Sequence, residues 1–455
     1  MESKESRTSG RSGEEGRMVA GSAQPTAADQ SFSSAPAKGK PLPVVVRKRK
    51  PKKKDSGFSV DEQEKDAGTC LLDKSKVNRF IADTFAQGVK GLTDEFLSMK
   101  RSIISPLCLA EGGLQKALAN ATDPEQINEI QFFIDNFDEF FKANRAGKNQ
   151  NRYRDVGCIS NSRVILRPPW PEPYIHANFV PTAVSNKRMI CTQGPTNDTV
   201  ADFWFMCLQE SVETIVMLCM YVENGMTKCA DYIPPPKKAY TFSSGDKKIT
   251  VKLEKHLPPP VANSSIVIQK NKYNVKLEGT DKPMSRSITH YYWMHWPDRG
   301  TPPVDTAVVR AIADIMKATH PIVLHCSAGV GRTGALAMIV DMIDTLNNDI
   351  EVRSAKDVLL RVRDHRFNSV QTYSQYLFVH SVFLTYLNMK KLLTEEEQAK
   401  AEAFYESYRA AEPAPRMTKT GQIIDIEERV YPNLAVSQSQ DPYSAHHKLQ
   451  KSDTS

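Results

Sequence analysis

None of the eight cysteines stands in a CxxC pair: Cys70, Cys108, Cys158, Cys191, Cys207, Cys219, Cys229 and Cys326 are scattered along the chain. That spacing gives neither a zinc site nor a thioredoxin-type redox pair, and no metal or cofactor is expected. No apolar run is long enough to span a bilayer, and no secretory signal opens the sequence. The last residues, KSDTS, are not a prenylation box. There is no internal repeat, and the nucleotide-binding pattern GxxxxGK followed by Ser or Thr does not occur. The net charge of +7 is modest and by itself does not indicate nucleic-acid binding. These absences lead to the expectation of a soluble, cytoplasmic protein with free thiols in a reducing compartment.

What is present changes along the chain. Residues 1–75 are rich in Ser, Gly, Ala, Pro and charge and poor in aromatics. Such a segment buries too little apolar surface to offset its ordering entropy, so it is expected to be disordered. Inside it stands RKRKPKKK at 47–54. A flexible Lys/Arg run suits the acidic groove of a nuclear import receptor, anionic lipid or nucleic acid, or is a solvated charge run. Import, and with it nuclear entry, is the leading reading.

From 76 to 395 apolar spacing appears. VNRFIADTFAQGVKGLTDEFLSMK and INEIQFFIDNFDEFFKA have helical periodicity. SRVIL, YIHANFV, RMICTQG, TIVMLCMYV, KKITVKLEKHL, SSIVIQKNKYNVKL and SITHYYWMHW read as strands. ADFWFMCLQE and four later segments between 304 and 388 read as helices. The mixture implies one α/β (α+β) domain. The chain from 396 to 455 is expected to be a flexible tail, with one helix in EEEQAKAEAFYESYRAA.

One stretch concentrates chemistry. PIVLHCSAGVGRTG, at 321–334, is an apolar strand, a cysteine, a loop of small residues and an arginine, followed by a helical pattern. A strand–loop–helix crossing aims successive backbone N–H groups at one point near a helix N-terminus, which binds anions and favours thiolate over thiol. Arg332 adds a fork of donors matched to two oxygens of a phosphate. Cys326 is thus the candidate nucleophile facing a phosphate cradle built from Ser327, Ala328, Gly329, Val330 and Gly331. An inert buried cysteine would leave Arg332 and the small residues unexplained.

HCSAGVGRTG resembles the signature of the cysteine-dependent protein tyrosine phosphatases, HCxAGxxR, then Ser or Thr, then Gly, with His325, Cys326, Ala328, Gly329, Arg332, Thr333 and Gly334 in its fixed positions. Other stretches extend the resemblance over roughly 148–390, to the non-receptor, tyrosine-specific type. HWPDRGTPP at 295–303 resembles the mobile acid loop, with Trp296 at its hinge and Asp298 as general acid and then base. VQTYSQY at 370–376 resembles the glutamine loop, which implies that Gln371 positions the hydrolytic water and Gln375 supports it. KNQNRYRDV at 148–156 resembles the recognition loop: Tyr153 against the phosphotyrosine ring, Asp155 on the peptide backbone, Arg154 toward acidic flanking residues. ENGMTKCADY resembles the segment whose Glu223 orients the loop arginine and whose Lys228 contacts the acid loop. CTQGP at 191–195 and DFW at 202–204 match a structural signature.

The resemblance implies a twisted mixed sheet flanked by helices, phosphotyrosine proteins as partners, and hydrolysis through phosphocysteine without metal. Three departures stand out. Arg299 follows the acid-loop aspartate where the family has an aromatic residue or His, and it suits cation–π stacking or acidic peptides. Phe367 and Asn368 stand where some members open a second aryl-phosphate pocket, and Asn368 argues against one. In YIHANF, His176 and Asn178 replace the usual Asn and Ser, positions read as structural. Two alternatives stay open: a catalytically weak or dead phosphotyrosine-binding protein, and a dual-specificity or phosphoinositide phosphatase, against which the Tyr153 loop speaks.

Overall fold

The computed structural model describes residues 72–411 except 100, 101, 103, 105 and 263, and the strand pairs Arg416–Met417 and Ile423–Ile424. The basic block at 47–54 and the rest of residues 1–71 lie outside the described residues. The strands are β1 (Arg163–Ile165), β2 (Tyr174–Val180), β3 (Met189–Thr192), β4 (Thr214–Met217), β5 (Val222–Glu223), β6 (Met226–Thr227), β7 (Ala239–Ser244), β8 (Lys247–Leu257), β9 (Val267–Glu278), β10 (Met284–Met294) and β11 (Ile322–His325). Helices α1 (Asn78–Ser98), α2 (Pro106–Leu109), α3 (Gly113–Asn120), α4 (Pro124–Asn136) and α5 (Asp138–Arg145) precede the sheet. Next come α6 (Val200–Gln209), α7 (Thr306–Ile315), α8 (Gly331–Asn347), α9 (Ala355–His365), α10 (Tyr373–Met389) and α11 (Glu395–Ala411).

One nine-stranded mixed sheet organises the molecule, in the order β1-β2-β3-β11-β4-β10-β9-β8-β7. Its centre is parallel: β11 runs parallel to both β3 and β4, and β4 parallel to β10. Every residue of β3, β4 and β11 is buried. That is why these strands read as unbroken apolar runs rather than alternating ones. The antiparallel half behaves otherwise. Ile249, Val251, Tyr273, Val275 and Leu277 are buried, while Lys248, Lys252 and Lys276 between them face water. The helix α8 leaves the central strand and is buried along almost its whole length, Gly331 to Leu346. A helix with no polar face belongs inside a core.

Three elements depart from the sequence pattern. The single periodicity at 127–143 resolves into α4 and α5, broken at Phe137 (φ −132°, ψ 16°). The break turns Phe133, Phe137, Phe140 and Phe141 onto one small core with Phe367. The segment AYTFSS, which carries no strong strand signal, is β7, held by pairing along the whole of its length with β8. The third is a correction to the expected flexible tail from 396. Helix α11 packs against α1 and α10 through Phe404 and Tyr408, both buried. Lys74 closes the same contact with an ion pair to Glu397 at 2.6 Å. The helix falls where the sequence placed one; what its polar composition hid is that it docks, through aromatic side chains.

Candidate active site

Cys326 sits where β11 ends and α8 is about to begin, at the carboxyl edge of the parallel strands. This is the general position of ligand sites in such sheets. The turn between them requires glycine at 329. Its φ is +72°, and a Cβ there would lie 2.1 Å from the Thr192 carbonyl oxygen. Gly329 N–H donates to the Cys326 sulfur at 3.2 Å. At Gly331 a Cβ would meet Gln371 Oε1 at 2.4 Å, so the missing side chain admits the glutamine to the loop.

The loop is held from behind by Arg366, which is fully buried. Its Nε donates to the Gly329 carbonyl (2.9 Å), and Nη2 to the Ala328 carbonyl (3.0 Å). A trans peptide points its N–H opposite its C=O. Drawing these two carbonyls backward therefore turns the N–H groups of Gly329 and Val330 toward the thiol side. Nη1 donates to Asn178 Oδ1 (2.8 Å), and Nη2 meets His176 Nδ1 at 3.1 Å. His176 Nε2 faces the Val156 carbonyl at 2.8 Å, so the proton is on Nε2 and Nδ1 accepts from the arginine. Burial, with Arg366 beside it, lowers His176 to about 3 and keeps it neutral. These contacts explain His176 and Asn178: they orient the arginine that shapes the loop.

Arg332, 1% exposed, carries the opposite side of the cradle. Glu223 grips it with both oxygens, at 2.6 and 2.9 Å. The same two nitrogens also reach the Trp296 carbonyl (3.0 Å) and Asp298 Oδ1 (3.1 Å). Lys228 Nζ holds the other Asp298 oxygen at 2.9 Å. Enclosure pushes the Asp298 carboxyl up, but the Arg332 and Lys228 charges outweigh this and hold it below the ordinary carboxylate range. For Arg332, burial disfavours the charge, and the Glu223 hydrogen bonds and Asp298 more than restore it. Trp296 anchors the aspartate's segment: its indole donates to the Gly300 carbonyl (3.0 Å), and its ring packs edge-on against Trp293 and Phe378.

Two further loops meet the same point. Tyr153 hydroxyl lies 2.8 Å from the Ser327 hydroxyl, whose own proton goes to the Lys228 carbonyl (2.9 Å). Tyr153 is therefore the donor to Ser327. Val370 takes φ +62°, a costly conformation for a β-branched residue. Its N–H donates to the Val330 carbonyl at 2.9 Å, which fixes Gln371 against Gly331. Gln375 Oε1 accepts from Gln371 N–H (2.9 Å), while Gln375 Nε2 and Thr333 Oγ1 are buried with no hydrogen-bond partner. Arg299, at φ +57°, offers its carbonyl to the Thr372 hydroxyl (3.1 Å) and so ties the Asp298 segment to the glutamine segment. Arg154 is exposed and donates to the Asn144 carbonyl (3.4 Å), away from the loop, and Asp155 is half-buried beside it.

Sequence spacing did not single out Arg366, nor Arg152, which donates to the Gly194 and Pro195 carbonyls (2.9 and 2.6 Å) and braces the Tyr153 loop. Asn368 donates to the Ser102 carbonyl (3.0 Å) while Phe367 joins the aromatic core, so both are committed to packing. Among the described residues, no group of three or more His, Cys, Asp or Glu is placed to hold a metal ion. Likewise, no described helix is long and apolar enough to cross a membrane.

The profile of the family described as "Protein-tyrosine phosphatase" matches residues 147–385. The chain belongs to the protein-tyrosine phosphatase family. Within this family it is 32% identical over 252 residues to "Protein-tyrosine-phosphatase PTP1" of Arabidopsis thaliana, covering 53% of this chain and 71% of that protein. It is 30% identical over 324 residues to "Receptor-type tyrosine-protein phosphatase eta" of Mus musculus, covering 68% of this chain and only 25% of the receptor. A solved phosphatase structure, described as "Structural basis of PTPN18 fingerprint on distinct HER2 tyrosine phosphorylation sites", aligns with a TM-score of 0.49 at 25% identity. That alignment covers 68% of this chain and 99% of the other. The phosphatase match takes in all the loops described above, from Tyr153 to Gln375.

Proposed function

We propose that this chain hydrolyses phosphotyrosine in proteins through a phosphocysteine intermediate. The observation that carries the reading is the shared ion-pair network. Arg332 of the cysteine loop contacts Asp298 directly, at 3.1 Å, so nucleophile and acid sit on one electrostatic unit. In the first step the Cys326 thiolate attacks phosphorus, the P–O bond to the tyrosine ring breaks, and Asp298 gives its proton to the leaving phenolate. In the second, water attacks phosphorus, Asp298 takes its proton, the P–S bond breaks and inorganic phosphate leaves. Arg332 and the N–H groups of Ser327 to Gly331 hold the equatorial oxygens through both steps.

Gln371 orients the water, and the buried Gln375 Nε2, unpartnered and next to Gly331 as Gln371 is, supports it. Lys228 and Glu223 fix the charges of the acid and the arginine. Tyr153 walls the pocket, and its depth favours an aryl phosphate over a shorter serine ester. Arg299, next to Asp298, biases recognition toward acidic peptides, whereas Arg154 is turned to the Asn144 carbonyl.

Replacing Cys326 by Ser is expected to abolish p-nitrophenyl phosphate hydrolysis while a phosphotyrosine peptide still binds. Turnover by that variant would end the nucleophile assignment. Binding without turnover by the wild type would instead mark a phosphotyrosine-binding protein.

A further inference from the structure

The outer half of the sheet has a face that the chemistry above does not use. β8 and β9 turn Ile249, Val251, Tyr273, Val275 and Leu277 inward, on the side where α6 packs. Their other side carries lysine. Lys248, Lys252, Lys255 and Lys276 are exposed, and Lys272 is half-buried. Strand register sets their neighbours. Lys255 stands directly opposite Lys272, Lys252 opposite Asn274, and Lys276 opposite Thr250. On β10, Ser285, Ser287 and Thr289 stand opposite Lys276, Asn274 and Lys272. Glu254 shares this side and accepts from the Ser287 hydroxyl, and Glu278 stands opposite Lys248.

The five lysines are not spent inside the fold. Lys247 and Lys270 of the same strands pair with Asp246 and Asp314, each at 2.6 Å. Lys248, Lys252, Lys255, Lys272 and Lys276 make no ion pair or side-chain hydrogen bond among the described residues. Like charges directly opposite each other destabilise a sheet, so the Lys255–Lys272 pair is a cost to the isolated molecule. The residues between the lysines are small and neutral, which leaves the long ammonium stems as the outermost groups. Among the described residues this face holds neither arginine nor an aromatic ring. It therefore has no fork for bidentate phosphate contacts and no platform on which bases stack. A pleated face also does not enclose a single acidic strand as a groove does. What it fits is a plane of spread negative charge, which lysines meet as mobile point charges.

We propose that the outer face of β8 and β9 docks this phosphatase on an anionic lipid bilayer, through Lys248, Lys252, Lys255, Lys272 and Lys276. Lipid phosphates and carboxylates then stand between the ammonium groups, and the Lys255–Lys272 repulsion becomes shared attraction to the same anions. The contact is peripheral, reversible and sensitive to salt. It does not depend on which residue is the nucleophile.

The test is sedimentation of the full chain with two kinds of vesicle. One is phosphatidylcholine alone, and the other is about four parts phosphatidylcholine to one of phosphatidylserine. The run at 47–54 would bind anionic lipid by itself, so a second set of proteins has Arg47, Lys48, Arg49, Lys50, Lys52, Lys53 and Lys54 all changed to Gln. In that set the otherwise unaltered chain is expected to sediment with the phosphatidylserine vesicles only, and to be released by high salt. Adding Lys252→Glu, Lys255→Glu, Lys272→Glu and Lys276→Glu together should weaken binding about tenfold or more. The corresponding four Gln changes, which remove charge without reversing it, should weaken it less. Lys116→Glu, Lys356→Glu, Lys390→Glu and Lys391→Glu change the net charge equally on helices elsewhere, and should cost no more than about twofold. If the four-Glu protein loses its cooperative melting transition, the four-Gln protein carries the test. Undiminished vesicle binding by a folded face variant would overturn the proposal. So would an equal loss in the helix control, or no binding by the chain with 47–54 neutralised. Binding of polyglutamate or RNA in place of vesicles would assign the face to an acidic macromolecule and refute the lipid reading.

Discussion

Asp298 has to be protonated to act as an acid, yet the unliganded site holds it ionised between Arg332 and Lys228. A bound phosphate dianion resolves this. It draws on the same Arg332 donors and adds negative charge nearby, and both effects raise the carboxyl. Wild-type kcat is therefore expected to fall as pH rises through that raised value. In Asp298→Asn the limb should vanish and the rate should drop about 10²–10⁴-fold, the usual worth of a general acid. An unchanged limb in the variant would remove Asp298 from the role. The same group leaves a small mark on stability. Its folded value lies below its unfolded one, so its contribution is present above the ordinary carboxylate range and is lost as pH falls through the lower folded value. With 34% of its side chain exposed, solvent screening keeps that contribution minor. At this scale, legibility depended on chain distance. Cys326 and Arg332 share one loop, and their spacing is the chemistry. Arg366 reaches back to Gly329 across 37 positions and to His176 across 190, and no local pattern encodes such a partnership.

Elements were legible where their residues carry a pattern of their own, alternating or unbroken apolar, whereas docking that rests on tertiary contact was not. The strands β8, β9 and β10 declare themselves by alternation. Helix α11 shows its helical pattern but not its docking, and it reaches the acid segment. The Tyr405 hydroxyl accepts from Val304 N–H at 3.0 Å, and the Tyr408 hydroxyl pairs with that of Thr301. Both contacts lie just past Asp298, on the C-terminal side of its segment. The double variant Tyr405→Phe, Tyr408→Phe keeps the aromatic packing and removes the hydrogen bonds to Val304 and Thr301, each worth about 1 kcal/mol, with the longer Tyr408 contact to the Ser374 hydroxyl (3.5 Å). It is expected to lower kcat by about tenfold while the inhibition constant of inorganic phosphate stays within twofold, since the phosphate cradle is untouched. Equal losses in both would show that α11 stabilises the whole site rather than the acid segment.

At the scale of the molecule, β11 is the axis, and its partners come from distant parts of the sequence. Ile322–His325 pairs with Met189–Thr192 on one side and Thr214–Met217 on the other. The β8–β9–β10 meander needs only neighbouring residues. Closing loops of more than a hundred residues is entropically slow, whereas local hairpins form early. Folding order thus separates the two halves of the sheet. In refolding from denaturant, the far-UV signal of the meander is expected to return before phosphatase activity does, and a single shared rate for both would refute this. The cradle for phosphate is then among the last features a newly made chain acquires. A nascent or partly folded molecule carries the cysteine without the power to use it, and catalytic competence arrives only with the completed fold.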